Sequence, residues 1–312
     1  MSSATMQAIR VYEYGGVEQL HLETVARPEP AAHEVLVRVL AAGVNPIDWK
    51  IRSGMVHAFF PMQFPYTPGH DIAGIVESVG SGVTTLQVGQ AVFGQSALGA
   101  YAEYATANVA TLALKPARLS FDEATAIPVG ATTAWQGLFD HGQLQAGQRV
   151  LILGAAGGVG LFAVQFAREK GAQVIGTAST KNLDFVRSLG AESVIDYTTT
   201  DVGTALHDID LVLDTVGGTA LATVLPVLKR GGALISIAGQ PDEAKAAAAG
   251  VRTARFGAQV SGELLTTFAQ LIDEGKVKVA VAEKFSLAQA GEAHTLSAQG
   301  HGRGRIVLHI AE

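Results

Sequence analysis

The chain has no cysteine among its 312 residues. Disulfides, a thiolate nucleophile and cysteine-ligated zinc are therefore excluded. Charge is scarce too: 16% of residues are Asp, Glu, Lys or Arg, the formal net charge is −6, and no block of Lys or Arg occurs. Without a basic patch the chain does not read as a partner of nucleic acid or of an anionic membrane surface. The N-terminus lacks the basic, apolar, then small-residue order of a secretory signal, so a cytoplasmic address is expected. One uncharged run, Val150 to Ala167, approaches the length of a membrane span. Glycines and Gln165 interrupt it, and it divides naturally into strand, turn and helix instead.

What is present is apolar sequence, 48% of the chain, and glycine, 36 residues of it. A chain of this length exceeds one ordinary core, so two domains are expected. The stretch around which they are organised is Val150-Leu151-Ile152-Leu153 followed by Gly154-Ala155-Ala156-Gly157-Gly158-Val159-Gly160. A short apolar run reads as a buried strand, and Leu161 to Lys170 as a helix stopped by Gly171. Strand, glycine turn and helix together form the setting for a dinucleotide pyrophosphate, which needs close backbone approach and free N–H groups at a helix start. The pattern departs from G-x-G-x-x-G in having Ala155 at its first position.

Upstream, short strands separated by turn residues suggest a small barrel. They are Gln7 to Tyr14, Leu20 to Val25, Glu34 to Ala42, Ala73 to Val79, Val88 to Phe93 and Tyr101 to Ala105. In Glu34 to Ala42, Val35, Val37 and Val39 share one face. Pro46 begins a short helix after Asn45. From Val150 onward strands alternate with helices: Gln173 to Thr177, Ser193 to Asp196, Leu211 to Asp214 and Ala233 to Ile237. That alternation reads as an α/β, doubly wound parallel sheet. Helices are also expected at Asp122 to Ile127, Thr132 to Phe139 and Gly262 to Glu274, and Arg305 to Ile310 as a last strand rejoining the N-terminal barrel.

The stretch Gly69-His70-Asp71-Ile72-Ala73-Gly74-Ile75-Val76-Glu77-Ser78-Val79-Gly80, continuing to Val83 and Gly89-Gln90-Ala91-Val92, resembles the signature of the medium-chain dehydrogenase/reductase superfamily. Ala42-Gly43-Val44-Asn45-Pro46-Ile47-Asp48-Trp49-Lys50, the turn Ala155 to Gly160 and Asp214-Thr215-Val216-Gly217-Gly218 resemble its zinc-independent quinone oxidoreductase branch. The resemblance implies a GroES-like β-barrel catalytic domain, residues 1–123 completed by 258–312, and a Rossmann NADPH-binding domain, residues 124–257. It also implies a homodimer joined through the Rossmann sheet edge, for which Ala233 to Ile237 and Arg255 to Val260 are the candidate segments.

Zinc-dependent relatives carry cysteine where Asn45 stands, histidine where His70 stands, and cysteine or aspartate near Gly130; here only His70 remains. Catalytic zinc takes three protein ligands, so no metal is expected. NAD-dependent relatives place a carboxylate after the second strand, about 20 residues past the glycine turn. Here Ser179, Thr180 and Lys181 stand instead, donors and a cation suited to the 2′-phosphate of NADPH, although Ser179 is equally suited to cap the next helix. On the family pattern the cofactor contacts are Asn45, Thr133, Ala156, Gly157, Gly158, Val159, Ser179, Lys181, Tyr197, Thr215, Gly217, Ala238 and Gly239, with Arg303 and Arg305 as further phosphate candidates.

Without a metal Lewis acid, the expected reaction is hydride transfer from NADPH to a quinone or an α,β-unsaturated carbonyl compound. Asn45 is the candidate polar group at the reacting centre, with Asp48 and Tyr66 as catalytic companions; Trp49, Phe59 and Phe60 are candidates to line an apolar pocket. The alternatives are an enoyl-thioester reductase of the same fold and a non-catalytic NADPH-binding structural or sensory protein.

Overall fold

The computed structural model describes residues 4–96, 99–300 and 302–311. The chain forms two compact units. One runs through Val129 and takes in Val260–Asp273 and the chain from Ala280 onward; the other is Gly130–Gln259 with Glu274–Val279. The first unit contributes β1 (Thr5–Arg10), β2 (His21–Ala26), β3 (Glu34–Val44), β4 (Asp71–Val79), β5 (Ala91–Gln95), β6 (Tyr104–Asn108) and β7 (Leu112–Leu114). The second contributes β8 (Arg149–Leu153), β9 (Gln173–Ala178), β10 (Ser193–Asp196), β11 (Ile209–Asp214), β12 (Leu228–Ser236) and β13 (Arg252–Arg255). The chain then returns to the first unit for β14 (Val281–Ser286) and β15 (Arg305–His309).

The first unit is built on β3. One edge of this strand pairs antiparallel with β4; the other is shared by β6 near its start and β15 near its end. The sheet continues through β4 to β5 and β7, and through β15 to β14, while β1 and β2 form a separate hairpin. Val35, Val37 and Val39 are buried as their alternation requires, and Leu36 and Leu40 on the opposite face are buried as well. β3 is therefore covered on both sides, which an alternating pattern alone understates. The last strand rejoins this unit as expected, because β15 pairs with β3.

Three strands were not legible, β7, β14 and the short β13, whose four residues carry no apolar alternation. β7 is only three residues long. β14 is an edge strand with mostly exposed side chains, so it carries no apolar alternation. The strand expected at Tyr101 begins instead at Tyr104; Tyr101 lies in the preceding turn, donates its N–H to the Pro68 carbonyl, and buries its ring completely. β1 ends at Arg10, and Val11 makes an isolated bridge to Tyr66.

The second unit is one parallel sheet in the order β10-β9-β8-β11-β12-β13. Numbered from its own first strand the order is 3-2-1-4-5-6, the doubly wound arrangement, with its switch point between β8 and β11. β12 is paired on both sides, so Ala233 to Ile237 is no sheet edge; the edges are β10 and β13. The unbroken apolar run of β8 is buried from Val150 to Leu153. It enters the turn at Gly154, whose φ of 71° is left-handed and costs glycine nothing. The helix that follows, Gly160–Glu169, starts so close to the turn that a Cβ at Gly160 would lie 2.2 Å from the Gly154 carbonyl oxygen and 2.6 Å from Ala155 Cα. Among the described residues no helix is long and apolar enough to cross a membrane.

Gly160→Ala should accordingly destabilise the second unit by about 1–3 kcal/mol, the cost of overpacking against backbone that cannot yield. Urea denaturation of the two proteins measures the difference.

Candidate active site

Sheet register brings the polar centre of the first unit together. β3 and β15 pair Val44 with Ile306, which sets Arg305 beside Asn45. β3 and β4 pair Ala42 with Ile72, so Gly43 lies opposite Asp71. A Cβ at Gly43 would stand 3.0 Å from Asp71 Cβ and 2.8 Å from the Thr125 carbonyl oxygen, so the close approach of Asp71 depends on glycine there. β3 then runs straight into Asn45 and the helix Pro46–Arg52, with Pro46 at the first helical position as expected.

Asn45, Asp71 and Arg305 are 1%, 0% and 4% exposed. Asn45 Nδ2 donates to Asp71 Oδ2 at 3.1 Å, and Arg305 Nη2 donates to Asn45 Oδ1 at 2.6 Å and to Asp71 Oδ2 at 3.0 Å. The acid and the guanidinium thus orient the amide from opposite ends. Arg305 is spent inside this cluster and is not available to a phosphate. Burial pushes the Asp71 carboxyl up to about 6, with the Arg305 charge pulling the other way. Asp48, at the third helical position, accepts the Asn45 backbone N–H at 2.8 Å, half of a capping box. The Asn45 side chain faces the N3 backbone to complete the box, and its amide also meets Asp71 and Arg305. Asp48 is 2% exposed, and burial raises its carboxyl above the ordinary range.

Tyr66 is only partly buried, but its hydroxyl has no hydrogen-bond partner among the described residues; burial and the Asp48 charge raise its pKa. Phe59 and Phe60 are exposed, and Trp49 is half-buried beneath Lys50. His70 is exposed, and its carbonyl accepts the Ser96 N–H. Among the described residues no three His, Asp or Glu side chains come together as a metal site. The donors at Asn45 do not fit zinc in any case, since the guanidinium occupies the amide oxygen and pairs with the neighbouring acid. A side chain at Gly130 would meet the Gly158 carbonyl oxygen at 2.6 Å, which leaves no room for a ligand there.

In the second unit the expected cofactor residues gather at the carboxyl edge of the sheet. Ala156, Gly157, Gly158 and Val159 form the turn between β8 and its helix. The turn is held from β9: Ala155 N–H donates to the Thr177 carbonyl, and Gly154 N–H to Thr177 Oγ1. Thr215 Oγ1 ties the end of β11 to the Leu153 carbonyl at 2.7 Å. Gly217 has φ 74°, and a Cβ there would press on the Ala238 carbonyl at 2.9 Å. Thr133 is buried in the helix Pro128–Trp135, which lies against the glycine turn at Gly130. Ser179 does not cap the next turn with its side chain; Asn182 Nδ2 donates to it instead. Lys181 is exposed. Tyr197, 43% exposed, donates its N–H to the Ala178 carbonyl and so stands beside that turn.

Sequence reasoning missed the buried network that shapes two of these loops. Asp214 accepts the Val216 and Gly217 N–H groups and, at 2.6 Å, the Ser236 hydroxyl; Ser236 Oγ accepts the Ala238 and Gly239 N–H groups. The signal was an aspartate ending one apolar strand and a serine ending the next. Arg305, a phosphate candidate in the sequence, is instead buried on Asn45 and Asp71, a placement that follows from strand register alone.

The sheet order, the glycine turn at its switch point and the lattice of loops at its carboxyl edge define a dinucleotide-dependent oxidoreductase. Residues 31–117 match the alcohol dehydrogenase GroES-like domain family, and residues 189–308 the zinc-binding dehydrogenase family. The chain is 35% identical to quinone oxidoreductase of Mus musculus, over 97% of each protein. It is 34% identical to the chloroplastic NADPH-dependent alkenal/one oxidoreductase of Arabidopsis thaliana, over 97% of this chain and 79% of that protein. The solved quinone oxidoreductase of Coxiella burnetii superposes with a TM-score of 0.91 at 34% identity, covering 98% of this chain and 99% of that one. The chain belongs to the quinone oxidoreductase branch of the medium-chain dehydrogenase/reductase superfamily, with a GroES-like unit and a Rossmann unit.

Arg305→Met leaves the Asp71 charge buried without its cation and should cost about 3–5 kcal/mol, read from urea denaturation. Arg305→Lys should recover only part of it, because an ammonium cannot match the planar geometry that meets the amide and the acid together.

Proposed function

We propose that this chain catalyses NADPH-dependent reduction of a quinone or an α,β-unsaturated carbonyl compound without zinc. The observation that carries the reading is the clamped amide of Asn45. Its oxygen is taken by Arg305, one of its N–H groups goes to Asp71, and the other has no acceptor among the described residues. An uncharged donor of fixed direction suits an oxygen that becomes negative as hydride adds to a conjugated carbonyl. The names of the mouse and Arabidopsis relatives support that substrate class.

Bound NADPH supplies the hydride. The turn from Ala156 to Val159 offers the pyrophosphate a helix start, and Thr215, Gly217, Ala238 and Gly239 surround it from the neighbouring strand ends. The turn's shape fits the group and depends on glycine, since a Cβ at Gly160 would meet the Gly154 carbonyl and one at Gly217 that of Ala238. Ser179, Lys181 and Tyr197 hold the 2′-phosphate, and Thr133 serves the nicotinamide end. Asn45 stabilises the developing oxyanion, while Asp48 and Tyr66 are the acids at hand for the proton that follows. Two copies of the chain pair through the β13 edge, which has no second strand partner among the described residues.

Lys181→Ala should weaken NADPH binding roughly tenfold while leaving NADH binding nearly unchanged, because a charge-assisted contact to a phosphate is lost only with the former. Equal weakening of both cofactors, read by titration of binding, overturns the 2′-phosphate assignment. NADPH oxidation with a panel of quinones, short enones and enoyl thioesters checks the substrate class; turnover of thioesters alone, or of nothing in the panel, contradicts it. Metal analysis of the active protein should find no stoichiometric zinc, and sedimentation should show twice the chain mass.

A further inference from the structure

A second polar chain runs from Asp48. Asp48 Oδ2 accepts two hydrogen bonds, from the Asn45 N–H at 2.8 Å and from the Tyr101 hydroxyl at 3.0 Å. The Tyr101 oxygen in turn lies 3.2 Å from His294 Nε2. The three side chains come from three separate segments: the helix Pro46–Arg52, the turn before β6, and the helix Ala290–Gln299. None is more than 2% exposed.

The direction of this chain follows from hydrogen counting. Tyr101 has a single hydrogen and gives it to Asp48, so its oxygen can only accept from His294, which must then carry its hydrogen on Nε2. Burial, with the Arg52 guanidinium nearby, depresses the His294 pKa to about 3, so the ring is neutral and has that one hydrogen to give. His294 Nδ1 has no partner among the described residues, and neither has Asp48 Oδ1.

We propose that Tyr101 and His294 are positioning residues for the reaction: their one-way hydrogen bonds saturate Asp48 Oδ2, so that Oδ1 is the oxygen of Asp48 that carries and delivers a proton. This rests on the reading of Asn45 and Asp48 as the reacting centre. In the step assigned to it, hydride from NADPH forms a C–H or O–H bond in the substrate and leaves an enolate or a hydroquinone monoanion. The O–H bond at Asp48 Oδ1 then breaks, its proton passes to that anion, its electron pair stays on Asp48, and solvent returns the proton afterwards. The groups facing Asp48 are Tyr66, His70 and Asp71 from the segment before and at the start of β4, Tyr101 from its turn, and Arg305 from β15; His294 and Arg52 stand behind Tyr101.

The sign of the pH dependence is determined by the direction of the Asp48 shift. Its carboxyl is raised, so the protonated donor is present at low pH and is lost as pH rises through the raised value. The Tyr101 hydrogen bond opposes that rise. Tyr101→Phe should therefore move both the Asp48 titration, followed by carbon NMR of labelled aspartate, and the alkaline limb of the kcat/KM profile to higher pH by the same amount. It should also lower kcat roughly tenfold with little change in KM. His294→Leu should disturb the profile in the same way, and His294→Gln, which keeps an N–H for Tyr101, should restore it. An unmoved Asp48 titration in Tyr101→Phe, with only a lower thermal midpoint, overturns the positioning role and leaves the reading of the site intact. A titration that moves while the kinetic limb stays put removes Asp48 from the reaction and overturns both.

Discussion

Burying a guanidinium is costly unless oxygens meet it, and the first unit is arranged around meeting that cost at Arg305. Arg305 is 4% exposed, and the oxygens that meet it come from Asn45 at the end of β3 and Asp71 at the start of β4. Neither ion is tolerable alone in that setting, so the pairing must hold for the unit to fold. Three features follow from it. The register of β15 against β3 is held to the one that sets Arg305 beside Asn45. The residue opposite Asp71 must be glycine, because a Cβ at Gly43 would push the acid away. And the side chain of Asn45 is held at both ends, its oxygen by Arg305 and its amide by Asp71. A pair that adds little net stability against an apolar replacement still specifies geometry strongly here, because it sets the orientation of the one amide on which the proposed chemistry turns.

The second unit solves a different problem with similar means. Its sheet ends in loops that must stay open to a ligand yet keep their shape. Asp214 and Ser236, both fully buried, bind the amides of the loops that follow them and bind each other at 2.6 Å. The loops are thereby preorganised by charge-assisted hydrogen bonds from beneath, and their outer faces are left unencumbered. Thr177 and Thr215 do the same for the glycine turn, one from each neighbouring strand. Glycine at 217, with its left-handed φ, allows the close packing of one such loop on the next.

Legibility in the sequence followed the range of the interaction. The β8 run, the glycine turn and the alternation of strands and helices were readable because each is written in contiguous residues. So was the helix after Asn45, since Pro46 marks its first position. The strand β14 was invisible because an exposed edge has no apolar period, and Tyr101 was misplaced because an aromatic in a β-rich stretch reads as strand whether or not its backbone is extended. The site itself was half legible. Asn45 and Asp48 sit within a recognisable stretch, and His70-Asp71 within another, but Arg305 is more than 230 positions from Asp71 and His294 is 193 from Tyr101. Only strand register and helix docking bring them in, and neither is a property of a local window.

The charge balance of the site carries the argument one step further. The Asp48 charge raises the Asp71 carboxyl, both acids are buried, and Arg305 hydrogen-bonds to Asp71 alone of the two. The imidazole beyond Tyr101 adds no compensating charge, because its burial beside Arg52 keeps it neutral. Burial raises both carboxyls, which favours the protonated form of each over what an exposed acid would hold. Asp71 has the guanidinium within hydrogen-bond reach and Asp48 does not, so the proton resides on Asp48 more readily than on Asp71. In the proposed reaction, a site that orients one amide thus also favours a protonated acid beside it, which a reaction that adds hydride first needs immediately afterwards.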